Sequence, residues 1–579
     1  MSRKQKIPTG KPIAAKPASP QLANVSNWLQ EGFALHQQGL LNEAQIIYER
    51  VLKKQSDHFD ALQLLAATYR QRGNSEIALE YFDKALRANQ TNAFVFNNRG
   101  ITLRDLNRLD EALQSYDQAI RLKPDSEFLF GSRLHIQMKL CDWSDLSHQL
   151  LELHSSLLAE RRITAPFPLL SLIDDPEMHL LASTIYVDTK HSASDVLGQF
   201  VKREPDGKIR IGYYSADFHN HATTYLMAEL FESHDPNQFE IYGFSFGPNK
   251  NDEMRYRLSK IFKQFIDVSN RHDIEIAQMS RELGIDIAVD LKGFTTDSRT
   301  DIFALRCAPI QVNYLGHPST MGASYIDYIV ADKTVIPIES QKYYSEKIVY
   351  MPHSYLVNDS KRKISDTLIT KEAFGLPERG FVFCCFNNNY KILPETLDLW
   401  MDILREVGES VLWLFEDNPI AAKNLRLQTQ QRGIDPSRLV FAKRMRLADH
   451  LARHRLADLC LDTLPYNAHT TASDATWAGL PVLTLPGKSF AARVAASILS
   501  ALDMPELIAE SREDYREKAI KLATNQVLLK QTKEKLDRNR LTAPLFNGQM
   551  FAQNIEKAYK VMYQRYINDQ SPDHIYISQ

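Results

Sequence analysis

Small and aromatic positions recur every 34 residues over residues 25–126. Gly32, Ala66 and Gly100 keep that spacing, as do Ala44, Ala78 and Ala112, the aromatic Tyr48, Phe82 and Tyr116, and Val51, Ala85 and Ala119. Such a period predicts helical hairpins whose small residues let two helices approach while the aromatic one packs between them. Pro124 predicts the end of the third hairpin, because proline cannot continue a helix. Residues 127–158 keep helical apolar spacing but lose the small and aromatic positions. They predict a degenerate fourth helical unit, with a linker reaching residue 206.

From residue 207 the pattern becomes strands alternating with helices. Strands are expected over 209–218, 239–247, 285–291 and 310–316, with helices over 223–234, 273–283 and 298–306 between them. A second set follows, with strands over 381–387, 410–416, 439–442, 458–463 and 481–487 and helices between, one of them opening at Thr471. This alternation predicts parallel sheets with helices on both faces, and two such domains in tandem enclose a cleft at the carboxyl ends of their strands. The fold class expected is a multidomain α and α/β chain: a disordered arm over 1–22, an α-solenoid of three repeats over 23–126, the helical linker over 127–206, and a pair of Rossmann-like lobes over 207–370 and 371–579. The final helices, about 510–565, are expected to pack back across both lobes.

The 34-residue period is that of tetratricopeptide repeats, whose stacks expose a concave groove suited to a polypeptide partner. A spacer or a dimerisation arm is the other use of such a stack, so a homodimer stays open. The chain has 579 residues, 69 Lys and Arg against 71 Asp and Glu, and a formal charge of −2. That balance gives no global reason to bind nucleic acid or an anionic membrane. No apolar run approaches the roughly 20 residues that a membrane span needs. The five cysteines have neither a disulfide framework nor a metal-ligand spacing, which favours the reducing cytoplasm.

The cleft edge carries the candidate chemistry. In "YNAHTTASDATWAG" a loop opens into a helix at His469, Thr470 and Thr471. Unpaired amides and the helix dipole there favour an anion such as a pyrophosphate, and the hydroxyls and imidazole add donors. An ordinary threonine cap is the plainer alternative. Asp474, one turn on, is placed to accept from sugar hydroxyls or to complement the dipole. "FNNNYKILPETL" brings Lys391 to the end of the strand that opens the second sheet, where its charge can stabilise a departing diphosphate. His219 and His221 follow the first strand as acid, base or orienting donor. The third strand of the first lobe carries Asp286 and Asp290 at same-face spacing, which places one of them well inside the strand, so one of the two is expected to be structural. No Asp-x-Asp metal pair is present. His450 and His454 have i, i+4 spacing, but Arg453 stands where a zinc-protease helix would need another residue, so no metal site is expected.

Taken together, "RIGYYSADFHNHATTYLMAELFESH", "DIFALRCAPIQVNYLGHPSTMGASYIDYIVAD", "FNNNYKILPETLDLWMDIL" and "NAHTTASDATWAGLPVLTLPGKSFAARVAASIL", in that order after the repeats, resemble the tetratricopeptide-linked protein O-GlcNAc transferases, a glycosyltransferase family of GT-B architecture. The resemblance implies an inverting, metal-independent transfer from a UDP-sugar, UDP-GlcNAc or another UDP-hexose, to Ser or Thr hydroxyls of acceptor proteins held by the groove and the cleft. No further cofactor is implied. It assigns Lys391 to the donor phosphates, His469, Thr470 and Thr471 to the pyrophosphate, and Asp474 to the ribose. Asn388, His450 and nearby Arg453 are assigned to the nucleotide pocket, and His221 to the active site. Asp286 stands where animal members have a second active-site histidine, and it enters as a candidate base. Leu447 stands where they have a nucleotide-contacting lysine. His469 favours UDP, since relatives using GDP-fucose lack that histidine. A glycan or asparagine acceptor, or a repeat scaffold with a vestigial catalytic unit, are the competing readings.

Overall fold

The computed structural model describes residues 20–202 and 207–578. Residues 1–19 of the expected arm lie outside that range, and the first helix already begins at Pro20. The chain forms two compact units, Met1–Pro124 and Asp125–Gln579.

Three hairpins make up the first unit: α1 (Pro20–Gln37) with α2 (Leu41–Lys54), α3 (Phe59–Gln71) with α4 (Ser75–Ala88), and α5 (Ala93–Asp105) with α6 (Leu109–Leu122). Tyr48, Phe82 and Tyr116 are fully buried, as are the alanines four residues before them. The helices meet so closely that a Cβ on Gly32 would lie 2.7 Å from the Tyr48 ring, and one on Gly100 would lie 2.6 Å from Tyr116. The turns between paired helices repeat too. Gly39, Gly73 and Asn107 each take a left-handed backbone, which glycine adopts freely and asparagine tolerates.

In the second unit α7 (Leu129–Lys139), α8 (Leu146–Leu158), α9 (Pro166–Leu169) and α10 (Pro176–Lys190) precede the sheets. Leu134, Met138, Leu153 and Leu169 share a core with Tyr390, Leu393 and Tyr466 of the C-terminal lobe. Asn418 and Asn424 donate to the carbonyls of Lys139 and Leu140, both at 2.9 Å. The apolar faces of these helices are thus buried against the C-terminal Rossmann-like lobe, which explains why the repeat's small and aromatic positions are missing from them.

The first sheet has eight strands: β1 (Ile209–Ser215), β2 (Phe239–Ser245), β3 (Gln264–Asp267), β4 (Ile287–Asp290), β5 (Ile310–Asn313), β6 (Tyr328–Asp332), β7 (Lys347–Met351) and β13 (Ile575–Tyr576). Their order is β3-β2-β1-β4-β5-β6-β7-β13, and every pairing is parallel. The second sheet contains β8 (Val382–Cys385), β9 (Val411–Phe415), β10 (Leu439–Ala442), β11 (Leu459–Leu461) and β12 (Val482–Leu483), in the parallel order β10-β9-β8-β11-β12. Strand order reverses between β1 and β4 in one lobe and between β8 and β11 in the other. The loops leaving those strands diverge and open a crevice, the usual ligand position in such folds.

A lobe boundary that runs unbroken from 371 to 579 needs correction. β13 pairs with β7 at the edge of the first sheet, and the helix Gly548–Ile567 packs on α11 (Ala222–Ser233) of the same lobe. Glu556 on that helix accepts from the Asp235 amide at 2.8 Å and pairs with His234 Nδ1 at 3.0 Å. The chain end therefore crosses back to complete the first lobe.

Candidate functional site

At the first switch point, residues 216–221 leave β1 and residues 291–293 leave β4. Lys292 Nζ donates to Asp217 Oδ2 at 2.7 Å, and both side chains are buried. The same Asp217 oxygen lies 3.5 Å from His221 Nδ1. A buried ion pair persists only when well partnered, and this one ties the two loops together beneath His221. His221 caps α11, its Nδ1 accepting from the Thr223 amide at 3.3 Å. A neutral imidazole that accepts at Nδ1 carries its hydrogen on Nε2. Burial pulls the ring's pKa down to about 4 against the raising influence of Asp217, while 42% of the side chain stays open to solvent. His219 is buried beside it, with ring centroids 5.7 Å apart.

Asp286 does not join this group. It immediately precedes β4, so it sits at the amino edge of the sheet, where its Oδ2 accepts from the Arg210 amide at 2.8 Å. Four strand residues at about 3.3 Å each separate it by roughly 13 Å from the edge that carries His221. Asp290 is the carboxylate at the carboxyl edge, buried, and accepting from the amides of Lys292 at 2.8 Å and Gly293 at 3.1 Å. Asp286→Ala is expected to lower the midpoint of chemical denaturation, by roughly 1–3 kcal/mol for an orphaned buried amide, and to leave turnover per folded molecule unchanged. Loss of turnover at full folding would restore Asp286 as a candidate base.

At the second switch point, residues 386–391 leave β8 and residues 462–471 leave β11. Asn387 staples the two loops: its Nδ2 donates to Thr463 Oγ1 at 2.7 Å, and the Thr471 hydroxyl donates to its Oδ1. Asn388 is exposed beside it, and its carbonyl accepts from the Lys391 amide at 3.0 Å. Lys391 is buried. Its Nζ donates to the Asn467 carbonyl at 2.8 Å and stands 3.9 Å over the Tyr466 ring. Burial lowers its pKa to about 8, opposed by the charge of Asp462. Asp462, fully buried, accepts from the amides of Thr463 at 2.8 Å and Ala468 at 2.5 Å and from the Thr484 hydroxyl at 2.7 Å.

His469 precedes the helix Thr470–Trp477. Its Nε2 faces the Ala491 carbonyl at 3.1 Å, so Nε2 carries the hydrogen and Nδ1 is an acceptor in the neutral ring. Burial, then the Lys391 charge, hold it well below the ordinary histidine value. The imidazole therefore offers no free donor until it is protonated, and the donors at this helix mouth are the amides, the Thr470 hydroxyl and Lys391. Asp474 lies inside the helix with Oδ1 accepting from Arg362 Nη1 at 2.6 Å, while Oδ2 lies 3.9 Å from His450 Nε2. Arg362 also donates to Ser473 Oγ at 3.1 Å and Asn358 Oδ1 at 3.2 Å. His450 packs edge-on against Phe386, 5.5 Å between centroids. Arg453 departs from its expected place in the pocket. It is 2% exposed, with its guanidinium 4.3 Å over the Phe386 ring and Nη1 on the Lys443 carbonyl at 2.7 Å, so it supports Phe386 behind His450.

Lys391, Thr470, Thr471, His469, Asn388, Asp474 and His450 thus gather at one switch point and His221 at the other. Arg362, Asp217 and Lys292 were not singled out from sequence. Arg362 lies in the connection between lobes, in "SKRKISD", where nothing marks one basic residue above its neighbours. Among the described residues no three His, Cys, Asp or Glu side chains gather as a metal site would.

Paired Rossmann-like lobes, with an ammonium and a helix mouth at the switch point of the second, define the GT-B architecture of sugar transferases. Residues 140–369 and 361–555 match the model for glycosyl transferase family 41, and residues 29–93 and 93–126 match tetratricopeptide-repeat models. The chain belongs to glycosyl transferase family 41. It is 36% identical over 465 residues to a probable UDP-N-acetylglucosamine–peptide N-acetylglucosaminyltransferase, SEC, of Arabidopsis thaliana, covering 76% of this chain and 47% of that one. A Caenorhabditis elegans UDP-N-acetylglucosamine–peptide N-acetylglucosaminyltransferase is 28% identical over 565 residues, covering 75% and 49%. The chain thus spans about half the length of these relatives. Among solved structures, a mutant of the Thermobaculum terrenum O-GlcNAc transferase superposes with a TM-score of 0.69 at 26% identity, covering 95% of this chain and 99% of that one.

Proposed function

We propose that the protein transfers a sugar, GlcNAc, from a UDP donor to serine or threonine hydroxyls of polypeptides, with inversion and without a metal. The observation that carries this reading is the buried Lys391 beside the opening of the helix Thr470–Trp477, a built site for a diphosphate. The donor's phosphates lie against the amides of Thr470 and Thr471, and Lys391 meets the charge that grows on the leaving diphosphate. Asp474 Oδ2, the carboxylate oxygen not bonded to Arg362, takes the ribose hydroxyls, with Asn388 and His450 at the base. The acceptor hydroxyl oxygen attacks the anomeric carbon from the face opposite the phosphate as the bond from that carbon to the phosphate oxygen breaks, and the hydroxyl proton leaves to an oxygen of the departing diphosphate. The names of the two similar proteins support the choice of UDP-GlcNAc and a peptide acceptor, and the repeats supply a surface for that peptide. Five free, buried cysteines support action in the cytoplasm. No helix among the described residues is long and apolar enough to cross a membrane.

His221 enters this reaction as a donor through Nε2, because Nδ1 already accepts from the helix amide. His221→Gln, whose amide still donates, is expected to retain more turnover than His221→Ala, and the alanine variant to lose about 100-fold. Equal losses in the two variants would return His221 to the role of base. The overall reading is tested by incubating the protein with UDP-GlcNAc and a cell lysate and following mass increments on serine and threonine. Labelling only with UDP-glucose or GDP-fucose would overturn the donor assignment.

A further inference from the structure

The groups that meet the donor are positioned by one carbonyl. Ala491 O faces His469 Nε2 at 3.1 Å and accepts the Asn467 amide at 2.9 Å, and the Asn467 carbonyl holds Lys391 Nζ at 2.8 Å. The turn that carries Ala491 is gripped from outside its lobe. Asp174, between α9 and α10, accepts the Lys488 amide on Oδ2 and the Ser489 amide on Oδ1, both at 2.8 Å. Contact is so close that a Cβ on Gly487 would lie 2.2 Å from Asp174 Oδ2. The turn closes on itself through Gly487 N to Ala492 O at 2.8 Å and Arg493 Nη1 to Gly487 O at 2.7 Å. The segment bearing Asp174 is also fixed at its far end, where Ser183 on α10 donates to the Thr320 carbonyl of the first lobe at 3.1 Å.

We propose that Asp174 is a positioning residue for donor binding: by gripping the turn 487–489 with both carboxylate oxygens, it sets the Ala491 carbonyl and through it the tautomer and placement of His469. The helical linker, which contributes no group to the chemistry, thereby fixes the donor side of the cleft. The consequence for donor affinity rests on the function proposed above, whereas the consequence for His469 does not.

Histidine Cε1–H exchange followed by mass spectrometry reads His469 without any ligand. In the unaltered protein it should titrate well below the free value of about 6.5. In Asp174→Ala the loss of the Ala491 hydrogen bond, which favours the imidazolium, should move its midpoint further down, with His450 and His454, remote from Asp174, unchanged. Asp174→Asn, which keeps one acceptor oxygen, should give a smaller shift and stands in if the alanine variant does not fold. In parallel, Asp174→Asn should weaken UDP binding by roughly tenfold; because the Ala491 carbonyl acts on His469 and, through Asn467, on Lys391, the double variant with His469→Ala should lose less than the product of the two single losses. An unmoved His469 titration in the folded variants, or losses that multiply in the double variant, would overturn the proposal. If the unaltered protein fails to bind UDP, the functional reading falls, and the exchange experiment still decides the role of Asp174.

Discussion

Lys391→Ala should cut turnover by about 100-fold or more while the protein keeps its fold and much of its affinity for uridine nucleotide. The reason is local. Lys391 is a buried cation at the junction of the two donor-side loops, held by the Asn467 carbonyl and the Tyr466 ring, and the charge it neutralises exists mainly in the transition state. An effect on kcat rather than on KM is therefore expected. The low amine pKa adds a second signature. Burial places deprotonation of Lys391 at about 8, so kcat/KM for the donor should fall as pH rises through that value, since only the protonated form meets the diphosphate. Substitution by arginine should carry that limb to higher pH. Full activity in the alanine variant would remove Lys391 from the mechanism.

The second large effect is on stability. Asp474 and Arg362 form a buried, charge-assisted pair, with side chains 8% and 2% exposed and 2.6 Å between the bonded atoms. Asp474→Ala leaves the guanidinium in the interior with only neutral hydrogen-bond partners, Ser473, Asn358 and the Asp359 carbonyl, and with the Asp359 carboxylate, itself paired with Arg257, as the remaining opposite charge. Breaking such a pair from one side costs about 3–5 kcal/mol, to be read as a lower denaturation midpoint at unchanged m. Replacing both residues together, Asp474→Leu with Arg362→Met, should recover part of the loss, because no uncompensated charge remains. Nucleotide affinity should stay low in the double variant, since the free oxygen of Asp474 is gone. A single variant as stable as the parent would show that the pair is solvated and would weaken the placement of Asp474 at the ribose.

Much of this architecture was legible from residue patterns, and the exceptions have physical causes. The 34-residue period placed the hairpins because the same close helix contact demands a small residue opposite each aromatic, as at Gly32 with Tyr48 and Gly100 with Tyr116. Strands β1, β2, β4, β5 and β8–β12 stood out through their alternation with helices, whereas β3, a four-residue edge strand without a buried run, was missed. β6 and β7 were missed because irregular loops, not full helices, separate them from their neighbours. β13 is two residues long and is created by pairing with β7, a tertiary fact. Asp286 was misplaced for a related reason. "GIDIAVDL" does not show where the strand begins, and a shift of one or two residues moves a carboxylate from the strand to its far edge. The loop residues Lys391, His469, Thr470 and Thr471 were legible because polar residues directly after a buried strand have few other uses. Their partners were not. Asp217 with Lys292, Arg362 with Asp474, and Asp174 with the turn at Gly487 each join segments distant in sequence, and no spacing rule connects them.

The proposed function requires a diphosphate to be held where β8 and β11 part, by one ammonium and the mouth of one helix. A crystal structure of the protein with UDP tests it most directly. The pyrophosphate is expected within hydrogen-bond reach of Lys391 Nζ and the Thr470 and Thr471 amides, with the ribose beside Asp474. Nucleotide bound away from the second lobe, or at the amino edge of either sheet, would contradict it.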